Sequence, residues 1–129
     1  MRFEFETAGR IIFGQGALQE FGSFFPKFGT RCFVLAGGCS VSLEPLYEIL
    51  NQSSVAFETF RIQGEPDVPT LLRGLEMAKN ADCDCVVGFG GGSVLDIAKA
   101  TAALMTNPGD LMDYLEVIGQ GLKIQKRPL

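Results

Sequence analysis

The sequence predicts an α/β fold in which a Rossmann-like parallel sheet carries helices on both faces. Short, unbroken apolar runs alternate with amphipathic stretches of helical period, which is the pattern of buried parallel strands joined by crossover helices. Glycine-rich turns follow two of these apolar runs. The length of 129 residues limits the chain to a single domain.

The N-terminal segment predicts a β-hairpin that precedes the sheet. Residues 2–5 alternate polar and apolar side chains, as a half-buried strand does, and residues 10–13 are suited to pair with them. After Gly14-Gln-Gly16, apolar side chains recur at helical spacing as far as Phe25, and Pro26 is expected to end that helix.

Three strands and three helices then alternate along the chain. The predicted strands are the short apolar runs at residues 32–36 and 85–89, and a further strand at residues 55–60. The predicted helices follow the strands at about residues 42–50, 71–78 and 93–105. Ser42 is expected to cap the first of these helices. Residues 110–115 predict one further helical turn, and residues 123–129 predict no element.

Composition excludes several classes of function. Eleven Lys and Arg against fifteen Asp and Glu give a formal net charge of −4, which disfavours nucleic-acid binding. No apolar run is long enough to span a membrane, and the N-terminus lacks the apolar core of a signal peptide. The four cysteines, without C-x-x-C spacing, indicate reduced thiols in a cytoplasmic protein.

The chain contains no histidine. This absence excludes Ser–His and Cys–His catalysis, and most zinc or iron sites, unless a second chain or a missing segment supplies the imidazole. We therefore predict no catalytic and no metal-ligating residue within these 129 residues.

The most informative motif is Gly88-Phe-Gly-Gly-Gly-Ser-Val-Leu-Asp96, where a predicted strand leads through three glycines into a helix. Glycines let the backbone approach a ligand closely, and a helix start presents unpaired N–H groups suited to a pyrophosphate. Ser93 adds a hydroxyl group but breaks the G-x-G-x-x-G pattern. A plain tight turn is the alternative. Ser93-x-x-Asp96 also has the spacing of a capping box, which would make Asp96 structural.

Four segments, in order, resemble the N-terminal, nucleotide-binding half of the iron-containing (group III) alcohol dehydrogenases. They are Arg10-Ile-Ile-Phe-Gly-Gln-Gly-Ala17, Gly64-Glu-Pro-Asp67, Gly90-Gly-Gly-Ser-Val-Leu-Asp-Ile-Ala-Lys99 and Gly109-Asp-Leu-Met-Asp-Tyr-Leu115. The third segment is specific for this family, whereas each of the others would be weak evidence by itself. The resemblance covers nearly the whole chain.

The resemblance implies that residues 90–94 wrap the pyrophosphate of NAD or NADP and that Asp96 supports that turn. It also places a discriminating position at Gly37, where members that prefer NAD often carry Asp, so a 2′-phosphate is expected to be tolerated. The turn supplies no Arg or Lys, so strong NADP selectivity is not expected, and a mere turn is the alternative for Gly37-Gly38. The cofactor-binding residues implied in this way are Gly37, Gly38, Ser40, Asp67, Gly90, Gly91, Gly92, Ser93, Val94 and Asp96. Asp67 has a helix N-cap as its alternative role.

By the same resemblance, the full-length enzyme transfers hydride between NAD(P) and a small alcohol or aldehyde. Its Fe²⁺ or Zn²⁺ would be held by an Asp and three His of a following helical domain that is absent from this chain. Residues 1–129 are then the NAD(P)-binding domain, inactive alone, and exposed apolar surface is compatible with a homodimer.

Two alternatives to this function stay open. The first is a domain of an enzyme like glycerol dehydrogenase or dehydroquinate synthase. The Ser93-Val94 pair disfavours glycerol dehydrogenases, which usually have Lys-Thr after the glycines. The second is a non-catalytic nucleotide-binding fragment.

Overall fold

A three-stranded parallel sheet with the strand order β2-β1-β3 forms the centre of the molecule. The structure, a computed structural model, describes residues 9–65, 67–115 and 117–125. The strands are β1 (Arg31–Ala36), β2 (Ala56–Arg61) and β3 (Cys85–Phe89). All three strands lie where the sequence predicts them, and they pair in parallel. The prediction of a parallel α/β sheet is therefore confirmed.

β1 is the central strand, and residues 32–36 are fully buried on both faces of the sheet. This burial explains why its sequence, Cys-Phe-Val-Leu-Ala, is apolar without interruption. Successive side chains point to opposite faces, so Cys32, Val34 and Ala36 lie in one core and Phe33 and Leu35 lie in the other.

Helices cover both faces of the sheet, as predicted. They are α1 (Ala17–Phe21), α2 (Glu44–Gln52), α3 (Val68–Asn80), α4 (Gly92–Thr106) and the single turn α5 (Leu111–Tyr114). Side chains of α1 and α2 pack into the core around Val34, whereas those of α3 and α4 pack around Phe33 and Leu35. Each sheet face is therefore closed by a different pair of helices.

Two expectations about the helices differ from the structure. The helix expected from residue 17 to residue 25 ends at Phe21, and a 3₁₀ turn, Phe25–Lys27, follows it. Gly22 is the C-cap residue of α1, and glycine is a poor helix former, so a helix end is favoured there. Ser42 does not cap α2, because Leu43 occupies the N-cap position and no side chain bonds to the helix start.

The predicted N-terminal hairpin is not seen in the described part of the chain. Residues 10–13 form no strand, and their expected partner, residues 2–5, lies outside the described residues. The Arg10 guanidinium lies 4.0 Å from the centre of the Phe24 ring, a cation–π contact. Residues 123–125 form no element, as expected, and residues 126–129 lie outside the description.

No helix within residues 9–65, 67–115 and 117–125 has both the length and the apolar character needed to cross a membrane.

Candidate functional site

Two loops meet at the carboxyl edge of the sheet. Because β1 lies between β2 and β3, the chain leaves β1 toward one side and later returns to the other, which makes the β1–β3 boundary a topological switch point. Open α/β sheets bind ligands in the crevice at such a point. The β1 loop (residues 37–42) and the glycine turn (residues 90–92) flank this crevice, and the Gly37 N–H donates to the Phe89 carbonyl at 3.4 Å.

The glycine turn ends in the N-terminus of α4. Gly91 is the N-cap residue, with extended backbone and no side-chain capping bond. The N–H groups of Val94 and Leu95 both donate to the Gly91 carbonyl at 3.1 Å. Within the described residues, the N–H groups of Gly92 and Ser93 donate to nothing. Two free donors at the positive end of a helix suit an anionic group such as a phosphate.

The glycines of this region have two different roles. A Cβ at Gly88 would lie 2.9 Å from the Ala98 Cβ, and a Cβ at Gly90 would lie 2.9 Å from the Val94 Cγ2. Both glycines therefore allow α4 to pack closely against the end of β3. At Gly91 and Gly92, by contrast, a Cβ would meet no atom within 4 Å. These two face open space beside the free N–H groups, which leaves room for a ligand.

Ser93 and Asp96 do not form the capping box considered from the sequence. Gly91 occupies the N-cap, so Ser93 is already inside α4, and the helix start has no side-chain cap. The Asp96 side chain is 75% exposed and lies 3.7 Å from the Lys99 Nζ. In the described part of the chain it makes no hydrogen bond to the glycine turn. The structural alternative for Asp96 is therefore wrong.

The side chain of Val94 lies close to both loops. Its side chain is buried, and its Cγ2 approaches the Cβ positions of both Gly90, at 2.9 Å, and Gly37, at 3.8 Å. Gly37 and Gly38 are half-buried, whereas Ser40 is exposed. Neither Gly37 nor Gly38 has a positive φ, so the backbone itself does not require glycine at either position.

Asp67 lies at the same edge of the sheet, after β2, and it caps α3. Its Oδ1 accepts a hydrogen bond from the Thr70 N–H at 2.8 Å. Hydrogen bonds from Thr70 lower the pKa of the Asp67 carboxyl. The N-cap role considered for Asp67 is confirmed, and the side chain stays exposed.

Sequence reasoning missed Arg61, the last residue of β2. Its Nη1 donates to the carbonyls of Gly37 at 3.1 Å, Gly38 at 2.9 Å and Val41 at 3.2 Å. The β1 loop itself supplies no cation, as noted from the sequence, but the neighbouring strand does. The one hint in the sequence was its position, because Arg61 directly follows the strand predicted at residues 55–60, at the edge where the glycine-rich loops were expected.

Cysteine and acidic side chains do not assemble into a metal site in the part of the chain that the structure describes. No group of three His, Cys, Asp or Glu residues there could hold a metal ion. All four cysteines are free; Cys32, Cys83 and Cys85 are buried, and Cys39 is exposed. Burial raises the pKa of the Cys83 thiol to about 11, which keeps it protonated at neutral pH.

Comparison with known proteins agrees with this architecture. A family model described as iron-containing alcohol dehydrogenase matches residues 8–129. NADH-dependent butanol dehydrogenase A of Clostridium acetobutylicum is 28% identical over 121 residues, which are 90% of this chain and 31% of that protein. The mitochondrial hydroxyacid-oxoacid transhydrogenase of Xenopus tropicalis is 34% identical over 127 residues, 92% of this chain and 27% of its own.

Solved structures show the same fold. The crystal structure of NADH-dependent butanol dehydrogenase A from Thermotoga maritima matches 97% of this chain and 32% of its own, with a TM-score of 0.81 and 26% identity. The crystal structure of an iron-containing alcohol dehydrogenase matches 81% of this chain and 30% of its own, with a TM-score of 0.74 and 31% identity. The chain thus spans about a third of the length of these relatives, or less.

Proposed function

The chain belongs to the iron-containing alcohol dehydrogenase family, and from this premise we propose that residues 1–129 form the NAD(P)-binding domain of an alcohol dehydrogenase. One observation carries the proposal. The β1 loop and the glycine turn, far apart in the sequence, meet at the switch point of a parallel sheet beside two free N–H groups of α4.

The residues at this point fit a dinucleotide. The N–H groups of Gly92 and Ser93 would bind the pyrophosphate, and the open space at Gly91 and Gly92 leaves room for it. Val94 supports the turn from its buried position. The remaining proposed contacts are Gly37, Gly38, Ser40, Asp67, Gly90 and Asp96.

The whole enzyme is proposed to transfer hydride between NAD or NADP and a small alcohol or aldehyde. The nicotinamide supplies the hydride chemistry when the cofactor is bound. The chain itself has no histidine, so its residues do not fit the iron site that the family name implies. We therefore propose that the metal ligands lie outside these 129 residues. Free cysteines suit a reducing compartment, and we propose the cytoplasm.

A binding experiment tests the proposal. NAD and NADP are titrated into the isotope-labelled 129-residue chain and followed by NMR. We expect both to shift the amide signals of Gly92 and Ser93. Gly92→Ala should weaken both affinities by about ten-fold or more, because a methyl group then occupies the phosphate position, while the Tm does not fall.

Gly9→Ala is the matched control, since a Cβ there also meets no atom within 4 Å and Gly9 lies outside both loops. This variant should bind like the unmodified chain. If neither dinucleotide binds, or if Gly92→Ala binds as well as Gly9→Ala does, the proposed function is wrong.

A further inference from the structure

A single guanidinium group holds the β1 loop. Arg61 is the register partner of Ala36, the last residue of β1, so its side chain begins beside the start of the loop. Its Nη1 lies within hydrogen-bonding distance of the carbonyls of Gly37, Gly38 and Val41, at 2.9–3.2 Å. The conformation of residues 37–41 is therefore tied to a residue from the neighbouring strand.

These contacts also set the direction of the N–H groups in the loop. In a trans peptide the carbonyl and the next N–H point in opposite directions, and the described residues contain no cis peptide bond. The carbonyls of Gly37 and Gly38 face Arg61, so the N–H groups of Gly38 and Cys39 face away from it. Neither N–H has a hydrogen-bond partner in the described part of the chain. Two adjacent N–H groups without a partner are free to donate hydrogen bonds to an anion.

The charge of Arg61 is not balanced by an acidic side chain among the described residues. The ion pair found there, between Lys99 and Asp96, does not involve it. A guanidinium group stays protonated at every physiological pH. Its positive charge, half-buried and bonded only to carbonyl oxygens, therefore acts on whatever group lies against the β1 loop.

We propose that Arg61 is a positioning residue that makes the β1 loop select a 2′-phosphorylated adenosine, as in NADP, over adenosine with a free 2′-hydroxyl. The proposal rests on the proposed function, because it assumes that the adenosine ribose lies at this loop. Arg61 acts through the peptide groups that it orients, and its charge favours the phosphate. Gly37 has no carboxylate that would repel the 2′-phosphate, and Arg61 makes the phosphorylated form the preferred one.

The test compares two probes that differ only in the 2′-phosphate, adenosine 2′,5′-bisphosphate and adenosine 5′-monophosphate. Each is titrated into the 129-residue chain by NMR. The unmodified chain should bind the bisphosphate more tightly. Arg61→Gln should weaken bisphosphate binding by about ten-fold or more, and weaken monophosphate binding by much less. Arg61→Lys, which keeps the charge, should restore part of the preference.

Arg73→Gln is the matched control, because it removes the same charge from α3, where Arg73 contacts Thr70. If Arg61→Gln loses the same affinity for both probes, Arg61 only holds the loop in place and the proposal is overturned. The proposal is also overturned if Arg73→Gln weakens bisphosphate binding as much as Arg61→Gln does. If Arg61→Gln does not fold, Arg61→Lys decides: an equal loss of affinity for both probes contradicts the proposal. Failure of the unmodified chain to bind either probe overturns the proposed function as well.

Discussion

At the scale of single residues, a substitution at Gly37 gives the most direct test of the proposed cofactor choice. A Cβ there would lie 3.4 Å from the Val41 Cγ2, which is an ordinary van der Waals contact. We predict that Gly37→Asp shifts the preference from NADP toward NAD by about 1–3 kcal/mol, because a carboxylate repels the 2′-phosphate and neutralises Arg61. Titration of both dinucleotides measures the shift.

The control for this substitution is Gly37→Asn, which has the same shape without the charge. If Gly37→Asp leaves the ratio of the two affinities unchanged, Gly37 is only a turn residue. If Gly37→Asn changes the ratio as much, the effect is steric rather than electrostatic.

Asp84 is a second residue with a measurable role, this time in stability. Its carboxylate accepts hydrogen bonds from the Thr30 N–H at 2.9 Å, the Thr30 hydroxyl at 2.8 Å and the Arg31 N–H at 2.8 Å. Burial alone would raise the pKa of Asp84, but the bonds from Thr30 and Arg31 outweigh it and lower the pKa. The carboxylate thereby ties the start of β1 to the start of β3.

We predict that Asp84→Asn lowers the free energy of unfolding by about 1–2 kcal/mol at neutral pH. A lowered native pKa means that the stabilisation is complete above the unfolded-state pKa of about 4 and is lost as pH falls below it. The difference between the two proteins, measured by urea unfolding, should therefore shrink from pH 6 toward pH 3. A difference that stays constant over this range would contradict the prediction.

The glycine turn was predictable from the sequence, whereas Arg61 was not. Three successive glycines between an apolar run and an amphipathic stretch are a local pattern, and local patterns can be read directly. The contact of Arg61 with the β1 loop depends on β2 lying next to β1. Strand adjacency is a tertiary property that the pattern of one sequence does not contain.

At the scale of elements, the packing of α4 against β3 depends on a glycine within the strand. We predict that Gly88→Ala lowers the free energy of unfolding by about 1–3 kcal/mol, because its Cβ would lie 2.9 Å from the Ala98 Cβ and would push the helix away. The urea midpoint measures the loss. Gly92→Ala is the control, since it adds the same methyl group in open space, and a similar loss there would contradict the packing argument.

Elements with a buried face were predicted well, and those without one were not. The five residues from Cys32 to Ala36 must be apolar because helices cover both faces of β1. Residues 10–13 have a strand-like composition, but residues 11–13 are exposed and no strand forms there. Without burial, a strand-like composition does not specify a strand.

At the scale of the whole molecule, the chain spans about a third of the length of its relatives. We predict that the 129-residue polypeptide does not oxidise short alcohols with NAD or NADP, even with Fe²⁺ or Zn²⁺ added, because it has no histidine to form the ligand set of such a metal. Absorbance of the reduced nicotinamide measures turnover. Turnover above a metal-free control, in a preparation free of contaminating enzyme, would contradict the prediction.

The strand order leads us to expect a particular order of contacts during folding. The contact between Arg61 and Gly37 spans 24 residues, and the contact between Asp84 and Thr30 spans 54. A doubling of loop length adds only about 0.6 kcal/mol of closure entropy, but it favours the shorter loop first. During synthesis, β1, β2 and the Arg61 contact can assemble before the glycine turn has left the ribosome. The proposed binding site at the switch point is complete only after β3 has joined the sheet.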